Sequence, residues 1–240
     1  MTNTEAWDRA AARRGGVGPS DTIRFGVDLP TEADLRLCGS LKGKRVLDVG
    51  CGAGENAVAM AHQGAHVIAI DASSAQLALG RKLAAESEVK VEWHEGDAAD
   101  LAYLRADSID LALAAGVIHE IDDLDRLFRQ VHRVLRAGAP FLFTHEHPMR
   151  LALGRDDADE GAPSGPLEVR RSYFDDRPVA ARREGEKVQL FPRTIADVFS
   201  ALHRAGYRVD VLLEPETVRG PDTGPAVPTA VLWRARKEGV

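Results

Sequence analysis

The chain has 240 residues, 44% of them apolar and 28% charged, which is enough for one α/β domain with an ordinary core plus at most an appendage. A formal net charge of −6 argues against nucleic acid as the main partner, because neutralising a phosphate backbone needs a basic face. Two cysteines without metal-ligand spacing exclude a disulfide scaffold or zinc module, and no stretch has the apolar length of a signal peptide or membrane span, so a cytoplasmic protein is expected.

In chain order, residues 5–14 (EAWDRAAARR) predict a short amphipathic helix, broken by glycine and proline at 15–19. A second helix is expected over 32–39. From Lys44 the pattern alternates strands and helices: strand 45–49, helix 55–62, strand 66–70, helix 73–86, strand 89–93 and strand 109–114. Leu124, Leu127, Phe128, Val131, Val134 and Leu135 recur at three and four positions and predict a helix over 122–136, followed by strand 140–144. Helix 195–205 and strands 208–213 and 229–234 close the chain. This rhythm predicts a doubly wound, mostly parallel sheet. Residues 146–192, rich in Gly, Pro, Arg and Asp, break it; long segments without regular structure inside a compact domain tend to be lids or binding loops.

The chemistry concentrates after the first strand, in RVLDVGCGAGENAVAM (45–60), where Gly50, Gly52 and Gly54 open a helix and bare the backbone to a ligand. Asp71, ending the second strand in HVIAIDAS, stands where an acid accepts two hydrogen bonds from a ribose diol; capping the next helix is its competing role, which Ser73 or Ser74 could fill instead. A dinucleotide fingerprint needs a small residue at Glu55, and carboxylates at Asp48 and Glu55 repel a pyrophosphate. They favour a nucleoside ligand with a cationic portion, such as S-adenosylmethionine (SAM).

Together with VEWHEGDAADL (91–101) and SIDLALAAGVIHEIDDLDRLFRQVHRVLRAGAPFLF (108–143), these motifs resemble the class I SAM-dependent methyltransferases, most closely their small-molecule branch of quinone- and natural-product-modifying enzymes. The resemblance implies an α/β fold with a seven-stranded sheet whose last strand is antiparallel, an N-terminal helical cap over 1–40, a SAM-binding domain over 41–240 and a substrate lid over 146–192. It implies that Asp48, Gly50, Gly52 and Gly54, with Asn56, form the cofactor loop, that Asp71 takes the ribose, and that Ala72 and Gln76 flank the adenine. Asp97 and Ala98 would meet the adenine amino group, and Ala115 and Gly116 would lie beside the sulfonium. Trp7 either closes over the cofactor or packs its helix to the core, and Arg24 either pairs with the methionine carboxylate or is solvated.

The implied reaction is methyl transfer from SAM, with S-adenosylhomocysteine (SAH) as product, to a small organic acceptor at oxygen, nitrogen or carbon. A SAM-binding regulatory protein is the alternative, and an RNA methyltransferase a remoter one, since "LAAGVI" replaces the N/D-P-P-Y tetrad. A monomer or homodimer acting on a small molecule, without nucleic acid or membrane, is expected. His119 and Glu146 are the candidate bases, and His119 has an equal claim to a loop role. His147, Tyr173 and Phe174 are candidates for the substrate wall, with Tyr173 and Phe174 alternatively anchoring the long segment. Glu120 and the arginine doublets 170–171 and 182–183 read as solvated. His145 and His147 flank Glu146, but in an extended chain Glu146 points away from both, which disfavours a metal site.

Overall fold

The computed structural model describes residues 2–14, 18–153, 168–216 and 227–239. Seven strands form one sheet: β1 (Arg45–Val49), β2 (His66–Asp71), β3 (Val91–Glu95), β4 (Leu111–Ala115), β5 (Pro140–Glu146), β8 (Tyr207–Leu213) and β9 (Ala230–Lys237). Their order is β3-β2-β1-β4-β5-β9-β8, with β9 antiparallel to both neighbours and the first five strands parallel. This is the doubly wound seven-stranded α/β sheet expected from the sequence. Between β2 and β4, strand β1 sits at the point where the order reverses, which is where such sheets bind ligands.

Alternation along the central strands builds a core on each face. Leu47, Val49, Ile68 and Ile70 pack with Leu127, Phe128 and Val131 of α5 (Leu124–Val134) and Leu202 of α7 (Ile195–Arg204). Val46, Val67, Leu111, Leu113 and Leu142 face the other way, onto Ala57 and Met60 of α3 (Glu55–His62) and onto Ile23, Phe25 and Leu41 from the N-terminal region. Helix ends are closed by side chains: Ser73 accepts from Gln76 N at the start of α4 (Ser74–Glu86), Asp123 caps α5, and Thr194 with Asp197 forms a capping box on α7.

Several boundaries shift by a few residues from the sequence reading, among them the end of β9 and both ends of α5, and two shifts have a clear local cause. Helix α2 covers only Glu32–Leu35, because Arg36 turns left-handed and Glu32 accepts the amides of Leu37 and Cys38, both at 2.8 Å. Strand β3 starts two residues late, at Val91, after Glu88 adopts a left-handed φ of 56° beyond α4.

The segment 146–192 is not structureless where it is described. It contains α6 (Pro148–Ala152) and a separate antiparallel hairpin, β6 (Val179–Arg183) and β7 (Glu186–Leu190), turning at Glu184–Gly185 with both φ positive. Residues 154–167 lie outside the described region. Helix α1 (Asn3–Arg14) packs on α4 and on β7. Ala6, Val188 and Leu190 form a small apolar cluster with Trp7 and Leu151, apart from the main cores.

Candidate active site

The loop after β1 divides its glycines between two tasks. A Cβ on Gly50 would stand 2.5 Å from the Val117 side chain, and one on Gly54 would stand 2.4 Å from Trp93, so these two glycines make room for the protein itself. Gly52 (φ 52°) and, across the cleft, Gly116 (φ 74°) face no atom within 4 Å of such a Cβ. The bare backbone offered to a ligand is therefore at Gly52 and Gly116 rather than along all three loop glycines.

Three acids surround that backbone. Asp48, 2% exposed, lies beneath the loop with Oδ2 buried and without a hydrogen-bond partner. Burial first, then repulsion from Asp71 and Glu55, pushes its carboxyl up to about 7. Asp71 accepts from Gly52 N (2.8 Å) through Oδ2 and from Ser73 N (2.9 Å) through Oδ1, so it pins the glycine loop and orders the start of α4, while Ser73 supplies the helix cap. Its carboxyl is also raised, chiefly by burial. Each Asp71 oxygen keeps a second lone pair for a ligand hydroxyl.

Glu120 departs from the sequence reading. It is not solvated: Oε2 accepts from Trp7 Nε1 (2.8 Å) and Asn3 Nδ2 (3.0 Å) of α1, and burial pushes its carboxyl up to about 7. Trp7 thus straps α1 to the turn after β4 by this hydrogen bond and packs in the small cluster with Val188 and Leu190, apart from the main cores. Among the described residues no Lys or Arg nitrogen lies within ion-pair distance of Asp48, Asp71 or Glu120; Glu55 is paired, to Arg14 at 3.1 Å. One buried and two half-buried carboxyls without a paired cation among the described residues suit a positively charged ligand and repel a phosphate. The adenosine and sulfonium portions of SAM fit this chemistry, whereas a pyrophosphate does not.

The remaining expected cofactor residues fall into two groups. Gln76 is 3% exposed with Oε1 unpartnered, while Ala72 is exposed and Ala98 buried. Asp97 is exposed, accepts from Ala99 N (2.8 Å), and has Arg126 at 3.9 Å. Ala115 ends β4, and Thr144 Oγ1 fixes the following turn by accepting from Gly116 N (2.9 Å) while donating to Phe25 O (2.6 Å). Asn56 is engaged elsewhere: its amide accepts from Arg24 N and donates to Arg24 O, tying the N-terminal segment to α3. The Arg24 side chain has no hydrogen bond or ion pair to the site and is exposed, which matches its solvated alternative.

On the acceptor side, Glu146 ends β5 with Oε2 buried and unpartnered, and Oε1 receives Arg183 Nη2 from β6. Arg183 is therefore not a solvated cation. The hairpin turns it inward, where its side chain is 27% exposed against Glu146 at 13%. His119, in the one-turn 3-10 helix Ile118–Glu120, accepts from Glu146 N through Nδ1 at 3.4 Å, and burial lowers its pKa. A neutral ring accepting there carries its proton on Nε2 and presents a donor, not a base.

The neighbouring histidines are structural. Trp233 Nε1 donates to His145 Nε2 (3.0 Å), so Nδ1 donates to Glu146 O (2.8 Å), and burial brings His145 down to about 3. His147 caps α6 by accepting from Met149 N (3.1 Å) and donates Nε2–H to Glu214 (3.0 Å). Neither ring has a free nitrogen, so His147 has no polar group left for a substrate. Tyr173 Oη accepts from Ile195 N at 3.5 Å, and Phe174 is 81% exposed. No group of three or more His, Cys, Asp or Glu with metal-binding geometry occurs among the described residues.

Residues 47–143 match the methyltransferase-domain family. That segment is about two fifths of the chain. Its fold and relatives are those of the class I SAM-dependent enzymes. The Hahella chejuensis ubiquinone biosynthesis O-methyltransferase is 36% identical over 105 residues, 44% of this chain and 44% of that protein; the Pseudomonas syringae pv. tomato counterpart is also 36% identical over 105 residues. The match thus spans less than half the length of these curated relatives. A SAM-dependent methyltransferase from Mesorhizobium loti superposes with a TM-score of 0.67 at 29% identity, covering 82% of this chain and 92% of that one. A Listeria monocytogenes chain, assigned by inference to the same class, gives 0.72 at 26%, covering 85% and 96%. The Mesorhizobium loti protein is SAM-dependent, and the acids around Gly52 are in keeping with such a cofactor.

The sequence missed Glu120, Thr144, Arg183 and Asp8, whose Oδ1 accepts from Ser73 Oγ (2.6 Å) and Ala75 N (3.2 Å). An E-G turn flanked by alternating residues, REGEKV, was the available signal for the hairpin that delivers Arg183.

Proposed function

We propose that the protein transfers the SAM methyl group to a hydroxyl of a small organic acceptor seated between Gly116, His119 and Glu146. One observation carries this reading. The three buried side-chain oxygens without a partner among the described residues, Asp48 Oδ2, Gln76 Oε1 and Glu146 Oε2, belong to β1, to the first turn of α4 and to the end of β5, next to the turns where such sheets bind ligands. Orphaned buried oxygens are costly and ask for a ligand that donates to them.

SAM, when bound, supplies an electrophilic methyl on a sulfonium, so the chain's work is alignment and exclusion of water. Asp71 and Gln76 hold the nucleoside, and Gly52 with Gly116 lets it approach the backbone. Glu146, fixed through Oε1 by Arg183, takes the acceptor's hydroxyl proton at Oε2, while His119 donates from Nε2 to orient the acceptor. Helix α1, the cap of a 1–40 segment, and the β6–β7 hairpin of the 146–192 lid cover the cleft. That favours a small acceptor over RNA, and a cytoplasmic monomer or homodimer suits it. O-methylation is the choice among acceptor atoms because the curated relatives are O-methyltransferases.

Calorimetric titration with SAM, SAH and NAD tests the cofactor half: micromolar binding of the first two and none of NAD is expected. Radiolabelled SAM with a panel of hydroxylated aromatics tests the acceptor half, with label in an ether product expected. Binding of SAM with no label transferred to any acceptor class would favour the regulatory alternative.

A further inference from the structure

We propose that Glu120 is a cofactor-binding residue that recognises the sulfonium charge, so that the cleft holds SAM more tightly than SAH. The proposal deepens the methyltransferase reading and rests on it.

The placement follows from strand order. Strands β2 and β4 flank β1, and the ends of all three carry the cleft. Helix α1 crosses over these ends. Asp8 is fixed to Ser73 and Ala75 after β2, Trp7 to Glu120 after β4, and Arg14 to Glu55 at the start of α3. Glu120 and Asp71 therefore follow the strands on either side of β1, and Glu120 feels the charges of Arg183, which is spent on Glu146, and of Asp71. Asp71 is committed to the amides of Gly52 and Ser73. Glu120 instead takes both of its donors on Oε2, which leaves Oε1 without a donor among the described residues.

Trp7 and Asn3 are neutral donors, so they orient the carboxylate without cancelling its charge, and Arg183, the cation that acts on it from a distance, is already paired with Glu146. Asn3 in turn is clamped to β7, accepting from Gln189 N (2.7 Å) and donating to Gln189 O (2.8 Å). Such a carboxylate is expensive to bury unless a cation comes to it. The cofactor carries one more positive charge than its demethylated product, and that charge sits on the atom that loses the methyl group. Loss of it on turnover weakens the hold on the product and favours its release.

Titration of wild type, E120Q and W7F with SAM and with SAH separates this role from simple latching of α1. Expected for E120Q is a loss of about tenfold in SAM affinity with SAH affinity within about twofold, the scale of one partly screened charge interaction. W7F, which loosens the strap and keeps the charge, should weaken both ligands by similar factors. SAH binding also reports that E120Q is folded. If E120Q does not fold, E120D serves: its withdrawn carboxylate should lose part of the preference for SAM and leave SAH affinity unchanged. Equal weakening of SAM and SAH in E120Q or E120D, or no change in either, overturns the proposal. Wild type that binds neither ligand would instead remove the methyltransferase reading beneath it.

Discussion

The two halves of the cleft are built by different means. The proposed cofactor half comes from short turns at strand ends: Gly50–Gly54 after β1, Asp71–Ser73 after β2 and Gly116 after β4, whose amides donate to Asp71 and Thr144. The acceptor half, and the α1 strap that covers both halves, are held by side chains far apart in sequence. Arg183 reaches Glu146 across 37 positions, Trp7 reaches Glu120 across 113, and Asn3 reaches Gln189 across 186. Local backbone chemistry leaves a spacing pattern that a sequence displays; long-range ion pairs do not. One half is thus a standard receptacle and the other an individual clasp.

The largest expected effects separate glycines within the first half. Gly52→Val puts a side chain into the ligand's approach at a positive φ, and SAM affinity should fall by 100-fold or more, about 2.7 kcal/mol. Gly54→Ala collides with Trp93 instead and should lower stability by about 2–4 kcal/mol, read as a shift in the denaturation midpoint. Should Gly52→Val destabilise as much as Gly54→Ala while still binding SAM, the division of labour in the loop would be wrong.

Next come the acceptor residues. E146Q removes the proton acceptor and should cut kcat by about 100-fold or more, with SAM affinity within about threefold. R183A should lower kcat by about tenfold through misplacement of Glu146, and R183K should recover part of it because a lysine restores charge without the fork. Loss of SAM binding in either variant would mean that the two halves are not separate.

How much was legible follows the same division. The strands β1, β2, β4 and β5, the helices α3, α5 and α7 and the parallel order were readable because apolar periodicity and capping residues are local. Asp48, Gly52, Asp71 and Gly116 were readable because ligand-bearing turns follow strand ends. Asn56 sits inside the same motif, yet it is spent on Arg24, which no spacing rule reveals. Glu120 and Arg183 looked like surface charges because charged side chains usually are; their burial depends on α1 and a hairpin whose strand, VAARR, carries too few apolar residues to stand out. His145 and His147 were ambiguous for the opposite reason, since a histidine's role lies in its partners, here Trp233 and Glu214.

A pH series reaches into the cofactor half. Asp48 has its carboxyl raised to about 7 by burial, against an ordinary value near 3.8. Folding is favoured by this group where both states hold the proton, below about pH 4. Between there and about 7 the unfolded chain ionises first, so the advantage is lost as pH rises, and above 7 the loss levels off. Comparison of D48N with wild type isolates this term from the lowered histidines, whose contribution runs the other way. The excess Tm of D48N should grow by several degrees, roughly 3–6 °C, from pH 5 to pH 7.5, while SAM affinity falls. A flat difference would mean that Asp48 is ionised in the unliganded fold.

The smallest effect belongs to the clasp between α1 and the hairpin. Glu186 on β7 receives Arg9 (2.9 Å) and Arg13, and Arg14 lies 3.6 Å from Glu184 in the turn. The two arginines hold the Glu186 carboxyl below its ordinary value, so this tie is present at neutral pH and is lost as pH falls through that lowered pKa. The arginine partners are about half exposed, at 44% and 51%, so solvent screens most of the attraction. E186Q should therefore speed SAM dissociation by only about threefold, more weakly at high salt, with kcat unchanged. Because Asn3 and Trp7 still bind α1 to β7 and Glu120, the strap stays shut without Glu186. A tenfold or larger effect would instead make the charged clasp, and not the Trp7–Glu120 contact, the fastening that holds the cofactor half closed.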